Sequence, residues 1–148
     1  MPPEGPQPPE DARPGEDART YLTRQWLVKA RHDLIAAERL SQSAPLPDIT
    51  AFHCQQAAEK ALKAYLAWQN EPFRKTHNLR ELVQQCVSLD GAFTELQEAG
   101  HKLSEYGVDS RYPGPFSEPT PEEAEEALRL ASHAFEFVLS HLPPDLRS

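Results

Sequence analysis

The chain has 148 residues, 39% of them apolar, and a formal net charge of −8. That length supports one domain with a real core, and the negative balance argues against gripping duplex DNA by backbone neutralisation alone. The start is proline-rich and acidic and no long apolar run follows, which predicts a cytoplasmic protein with no membrane span.

Residues 1–19 hold six prolines and almost no large hydrophobic side chain. Such a leader cannot offset the entropy of ordering it and is predicted to be disordered, leaving 20–142 as the folded domain and 143–148 as a tail.

A first helix is predicted from about Ala18 to Gln42, because Tyr21, Leu22, Trp26, Leu27, Ala30, Leu34, Ala37 and Leu40 recur at helical spacing. Asp33 projects into that stripe, where a lone carboxylate is expensive. Two readings stand: a buried Asp paired to a base or capping a neighbour, or an Asp at the stripe's edge reaching water. Tyr21, Val28 and Ile35, seven apart, form a second apolar line that predicts a further neighbour, and hence a homodimer.

After the prolines of Ser43–Pro47, Asp48 or Thr50 is placed to cap a second helix over Thr50–Gln69, TAFHCQQAAEKALKAYLAWQ. One side collects Cys54, Ala57, Ala58, Ala61, Leu62, Tyr65 and Trp68, with Ala51 and Leu66 at the margin. The other side collects His53, Gln56, Glu59, Lys60 and Lys63. Alanines leave room for a neighbouring helix to approach closely, so this is the predicted central packing helix. Glu59 precedes Lys63 by one turn, spacing that lets the two touch.

A basic turn, NEPFRKTH (70–77), precedes a short amphipathic helix over Asn78–Cys86 with Leu79, Leu82, Val83 and Cys86 inward. Asp90-Gly91 marks a turn, and Ala92–Tyr106 reads as a fourth helix with Gly100 as its weak point. The connection GVDSRYPGPFSEP (107–119) is long for a bundle, and such connections are often functional. Thr120-Pro121-Glu122-Glu123 opens a last helix that runs to about Leu142 and is stopped by Pro143-Pro144. No segment alternates with period two for long enough to form a strand. The predicted fold is all-α, an antiparallel bundle of four to five helices.

Cys54 and Cys86 lie in different predicted helices without Cys-x-x-Cys spacing and read as buried, reduced thiols. The six histidines show no metal-ligand spacing, and the glycine-rich phosphate loops are missing. No metal and no cofactor are expected. A pairing of Cys54 with His53 is disfavoured because adjacent helical residues point about 100° apart. What remains is a polar set: Gln56, Glu59, Lys60 and Lys63 on one helix, His77 before the next, and Arg111 with Tyr112 in the long connection. These are groups suited to a phosphate and a stacked base. The competing reading is an interhelical network in which Glu59 pairs with Arg111 and the lysines stay solvated.

FHCQQAAEKALKAYL (52–66), KTHNL (75–79), YGVDSRYPG (106–114) and ARHDL (30–34) together resemble the HEPN domain family, the higher eukaryotes and prokaryotes nucleotide-binding domain. The resemblance spans about Thr20 to Leu142. It implies a bundle of about five helices, commonly a homodimer, often paired with a small nucleotidyltransferase in a two-component or toxin-antitoxin-like system. By position it marks Gln56, Lys60, Lys63, His77, Arg111 and Tyr112 as nucleotide-site or nucleic-acid-end residues, with Asp33 and Glu59 orienting the cations. Some members are metal-independent ribonucleases, whose signature is an Arg followed after four to six residues by a His. Here the positions due to hold that His after Arg111 are Phe116, Ser117 and Glu118. The expectation is therefore a non-catalytic nucleotide-binding or partner-binding domain. The alternatives are a ribonuclease using Arg111 with His77 or Tyr112, and a purely structural dimerisation module.

Overall fold

A computed structural model describes residues 10–43, 46–73, 78–107 and 118–147. Among the described residues every regular element is helical: α1 (Ala18–Ser43), α2 (Pro47–Trp68), α3 (Leu79–Leu89), α4 (Gln97–Leu103) and α5 (Pro121–Ser140). Short 3₁₀ turns at Gly91–Leu96, Ser104–Tyr106 and Pro144–Leu146 complete them. The all-α expectation holds, and no helix is long and apolar enough to cross a membrane.

α1 buries Leu27, Ala30, Leu34 and Ala37 as its spacing predicts, whereas Leu22 is left 47% exposed. Residues 10–17 fold back on its first turns and are not a loose leader. Tyr21 Oη donates to Asp11 at 2.9 Å, Gln25 Nε2 to the other Asp11 oxygen at 2.8 Å, and Arg24 to Glu16 at 2.9 and 3.1 Å. Charge-assisted hydrogen bonds supply what the leader's composition lacks in apolar surface. The Arg24 guanidinium holds the Glu16 carboxyl below its ordinary range.

α2 starts earlier than predicted. Pro47, with its φ already suited to a first turn, opens it behind Leu46, and no side chain caps it. Asp48 and Thr50 therefore lie inside the helix rather than at its cap. At the other end Asn70 adopts φ 57°, Asn70 N–H donates to the Ala67 carbonyl and Glu71 N–H to that of Leu66. This left-handed ending, which Asn tolerates, satisfies carbonyls the helix leaves open.

The central position predicted for α2 is observed. Ala51, Cys54, Ala57, Ala58, Ala61, Leu62, Tyr65 and Leu66 are all buried, and α1 and α5 pack along its length. α1 runs antiparallel to α2, with Arg19 seated 4.0 Å over the ring of Trp68. α5 runs beside α2 in the same sense: Thr50 and Ala124 line one small cavity at their starts, while Phe93 joins Tyr65 and Phe137 near their ends.

The predicted fourth helix is divided. Asp90 accepts from Ala92 N–H at 2.9 Å and tightens the start into a 3₁₀ turn, which aims Phe93 between α2 and α5. The α-helical part is limited to Gln97–Leu103. α3 is capped by Asn78, whose side chain accepts from Arg80 N–H. α5 opens on the predicted Thr120 cap, with Glu123 returning the bond as a full capping box, and Arg147 closes it by donating to the carbonyls of Leu142 and Ser140.

Gly100 is a packing position rather than a weak point. A Cβ built there meets Val83 Cγ2 at 2.9 Å, inside van der Waals contact. Ala has the better helix propensity by ~1 kcal/mol, but forcing apart a stiff Val costs about 1–3 kcal/mol. Gly100→Ala is expected to lower stability in urea denaturation, and to do so less in a Val83→Ala background, where the clashing methyl is gone.

Candidate functional site

The polar side of α2 resolves into two rows. Gln55, Glu59 and Lys63, each one turn apart, are buried, with relative exposures of 0%, 2% and 8%. His53, Gln56 and Lys60 stand beside them at the rim, each partly exposed. The first row turns toward neighbouring elements and the second toward solvent, which one amphipathic wheel does not separate.

At the rim, Asp33 of α1 meets α2. Its Oδ2 accepts from Lys60 Nζ at 2.6 Å, and its Oδ1 lies 2.8 Å from His53 Nδ1. Of the two readings of Asp33, the buried and paired one is observed: it is 9% exposed and bonded to two bases. Taking such a carboxylate out of water without partners would cost several kcal/mol, and these two contacts offset that cost.

In the buried row, Glu59 Oε2 stands 3.7 Å from Lys63 Nζ. The lysine is not solvated. Its ammonium lies 5.3 Å from the ring of Trp26 and 5.5 Å from that of Phe73, and those two rings meet edge to face at 5.9 Å. Cation–π attraction of this kind contributes about 0.5–2 kcal/mol and rises as water is excluded. Trp26 Nε1 is buried with no hydrogen-bond partner among the described residues. Gln56 Nε2 donates to Gln55 Oε1 at 2.6 Å, and Gly107 passes close to the Gln55 amide.

The structure thus brings together Asp33, Gln56, Glu59, Lys60 and Lys63 from the predicted set. His77, Arg111 and Tyr112 lie outside the described residues. Lys63 is enclosed by Glu59 and two rings, so its charge is less available to a ligand than that of Lys60. Sequence reasoning missed His53, Gln55, Trp26 and Phe73 as parts of this cluster. For Gln55 a signal existed, since residues 55, 59 and 63 form an unbroken polar line at four-residue spacing on the central helix. His53 was obscured by its adjacency to Cys54. Among the described residues, no group of three or more His, Cys, Asp and Glu side chains is arranged to hold a metal ion.

A central helix wrapped by apolar neighbours thus carries a buried polar row and, beside it, a rim row whose His53 and Lys60 are paired to a carboxylate of the preceding helix, which makes this a helical bundle with an ion-pair face. The family is shown by sequence: the model of the HEPN domain matches residues 23–141, and the chain belongs to that family. Its structure resembles TT1696 from Thermus thermophilus at 32% identity and a TM-score of 0.69, covering 81% of this chain and 98% of that one. It also resembles ST0689, described as an archaeal HEPN homologue, at 24% identity and a TM-score of 0.66, covering 80% and 96%. The second likeness speaks to the fold alone. No curated protein matches the chain.

Both cysteines are free and buried, and burial pushes each thiol up to about 12, with the Asp33 charge a second cause at Cys54. At neutral pH both remain thiols rather than reactive thiolates. Folded protein at about pH 8 is expected to leave both unreacted with a disulfide reagent, and denaturant to release both together. Fast labelling of Cys54 in the folded chain would show the α1–α2 contact opening.

Proposed function

We propose that this chain is a binding HEPN domain without ribonuclease activity. It takes a nucleotide or a nucleic-acid end along the polar face of α2 and works beside a small nucleotidyltransferase. The observation that carries the reading is the Asp33–Lys60–His53 cluster at the rim of that face, with donors held at fixed positions and still partly open to water. The remaining candidates, His77, Arg111 and Tyr112, follow closely in sequence on Phe73 and Gly107, two described residues that lie against the same helix. Phe73 packs by Lys63 and Gly107 by Gln55. An anion held by Lys60 gains a planar fork from Arg111 and a stacking ring from Tyr112 in this reading. Lys63 and Glu59 position the face rather than touch the ligand.

Absence of catalysis rests on the missing histidine after Arg111, because a general acid–base group contributes ~100-fold to 10,000-fold in rate. Single-stranded RNA incubated with the chain in chelator is expected to remain intact. Cleavage that disappears in Arg111→Ala would replace this reading with a ribonuclease using a diverged site. Calorimetric titration with nucleotides should show binding weakened by Lys60→Ala and Arg111→Ala, and unchanged binding in both folded variants would move the site elsewhere. Purification from the native host with mass spectrometry tests the nucleotidyltransferase partner.

A homodimer is a second reading, favoured by Ile35, which is 41% exposed on α1. Of the line that suggested it, Tyr21 is engaged by the chain's own Asp11, so the apolar surface left for a second copy is narrower than the sequence implies. Sedimentation at micromolar concentration is expected to show a dimer that Ile35→Asp weakens. A monomer throughout would rule this reading out.

A further inference from the structure

Asp33 spends both of its oxygens on groups that reach the surface of α2. Lys60 and His53 keep 24% and 29% of their side-chain surface, while the carboxylate between them keeps 12%. An ionised carboxylate only accepts hydrogen bonds, so the imidazole nitrogen 2.8 Å away, Nδ1, carries a proton. In the neutral ring Nε2 is then the lone-pair nitrogen, and a second proton there makes the ring a cation beside the Lys60 ammonium. The ring is not free to turn without giving up its contact with the Asp33 carboxylate. The charged group bonded to His53 is Asp33 from α1, and the other oxygen of that carboxylate holds Lys60 of α2. The neighbouring Cys54 thiol is neutral at physiological pH.

Charge balance sets what this arrangement accepts. With His53 neutral, Asp33 and Lys60 cancel and the rim offers an anion little. With His53 protonated, the cluster gains a net positive charge and a new N–H donor at Nε2. A dianionic ligand supplies the field that favours that proton, whereas a neutral sugar or base does not.

We propose that His53 and Lys60, both held by Asp33, form a subsite for a phosphate monoester dianion, and that its binding is coupled to uptake of one proton at His53 Nε2. The inference rests on the nucleotide-binding reading and deepens it. A terminal phosphate is preferred over an internal diester, because the diester carries one charge and draws the proton less strongly. The end of a nucleotide or nucleic acid and free inorganic phosphate share this chemistry, and Gln56 beside them adds an amide donor at the same rim.

The test is calorimetric titration of the full chain with adenosine 5′-monophosphate, inorganic phosphate and adenosine. Two buffers of different ionisation enthalpy are used at about pH 7.5, followed by a pH series. Wild type is expected to take up a proton on binding the monophosphate, with affinity falling as pH rises. His53→Gln should bind more weakly, with no proton uptake and no pH dependence. Lys60→Gln, with Lys60→Arg as the variant that retains a partner for Asp33, should weaken binding across the series while proton uptake remains. Inorganic phosphate that competes with the monophosphate would assign the subsite to phosphate itself. Phosphate that does not compete would restrict the subsite to a phosphate carried on a nucleotide, with the proton coupling still expected. Adenosine binding as tightly as the monophosphate, or proton uptake that persists in His53→Gln, overturns the subsite and leaves the nucleotide-binding reading standing. If none of the three probes binds, nor a 5′-phosphorylated oligonucleotide, both fall.

Discussion

The close contact between α1 and α2 is the constraint on which the rest of this structure depends. Ala30 and Ala37 from α1, and Ala51, Ala57, Ala61 and Ala64 from α2, are each at 0% exposure. Side chains this short let the two helices approach closely. Only at that separation does the Asp33 carboxylate of one helix reach Lys60 and His53 of the other, at 2.6 and 2.8 Å. Larger residues along the stripe would fill the core as well. They would also push Asp33 away from its bases and leave a buried carboxylate without its partners.

The same closeness decides how the polar face behaves. Glu59 and Lys63 are enclosed, Asp33 and Lys60 are bonded to each other, and the set is close to neutral overall. Replacing a buried ion pair by packed apolar residues is often neutral or stabilising, so stability alone does not call for a polar set on the central helix. Nor is this an open basic groove of the kind that grips a polyanion by charge excess. Its chemistry lies at the rim, where donors are fixed by partners behind them and meet water in front. That places recognition in local geometry and leaves the acidic net charge of the chain, −8, compatible with binding an anion.

Much of the fold was legible because it rests on local rules. Apolar residues at helical spacing placed α1 and α2 within a few residues, and Thr120 with Glu123 announced the start of α5 through a cap whose partners are three residues apart. Where distant residues intervened, the local reading failed. Phe93, on the 3₁₀ turn at Gly91–Leu96, reaches between Tyr65 and Phe137, contacts that no local spacing announces. The docking of residues 10–17 follows from Arg24 and Tyr21 waiting on α1. Gly100 reads as a helix breaker until Val83 is seen against it.

The candidate site divides along the same line. By itself the sequence determined which residue types are present, that Glu59 and Lys63 share one helical line, and that an Asp at position 33 in an apolar stripe would be costly without a partner. The tertiary structure decided who that partner is. His53 and Lys60 are separated from Asp33 by 20 and 27 residues, and only the packing of α1 on α2 brings them to one carboxylate. The tertiary structure also decided that Lys63 is sealed against Trp26 and Phe73 while Lys60 stays at the surface. Periodicity assigns both lysines to one polar arc. Burial depends on what stands opposite each of them, and that is set by contacts across the chain.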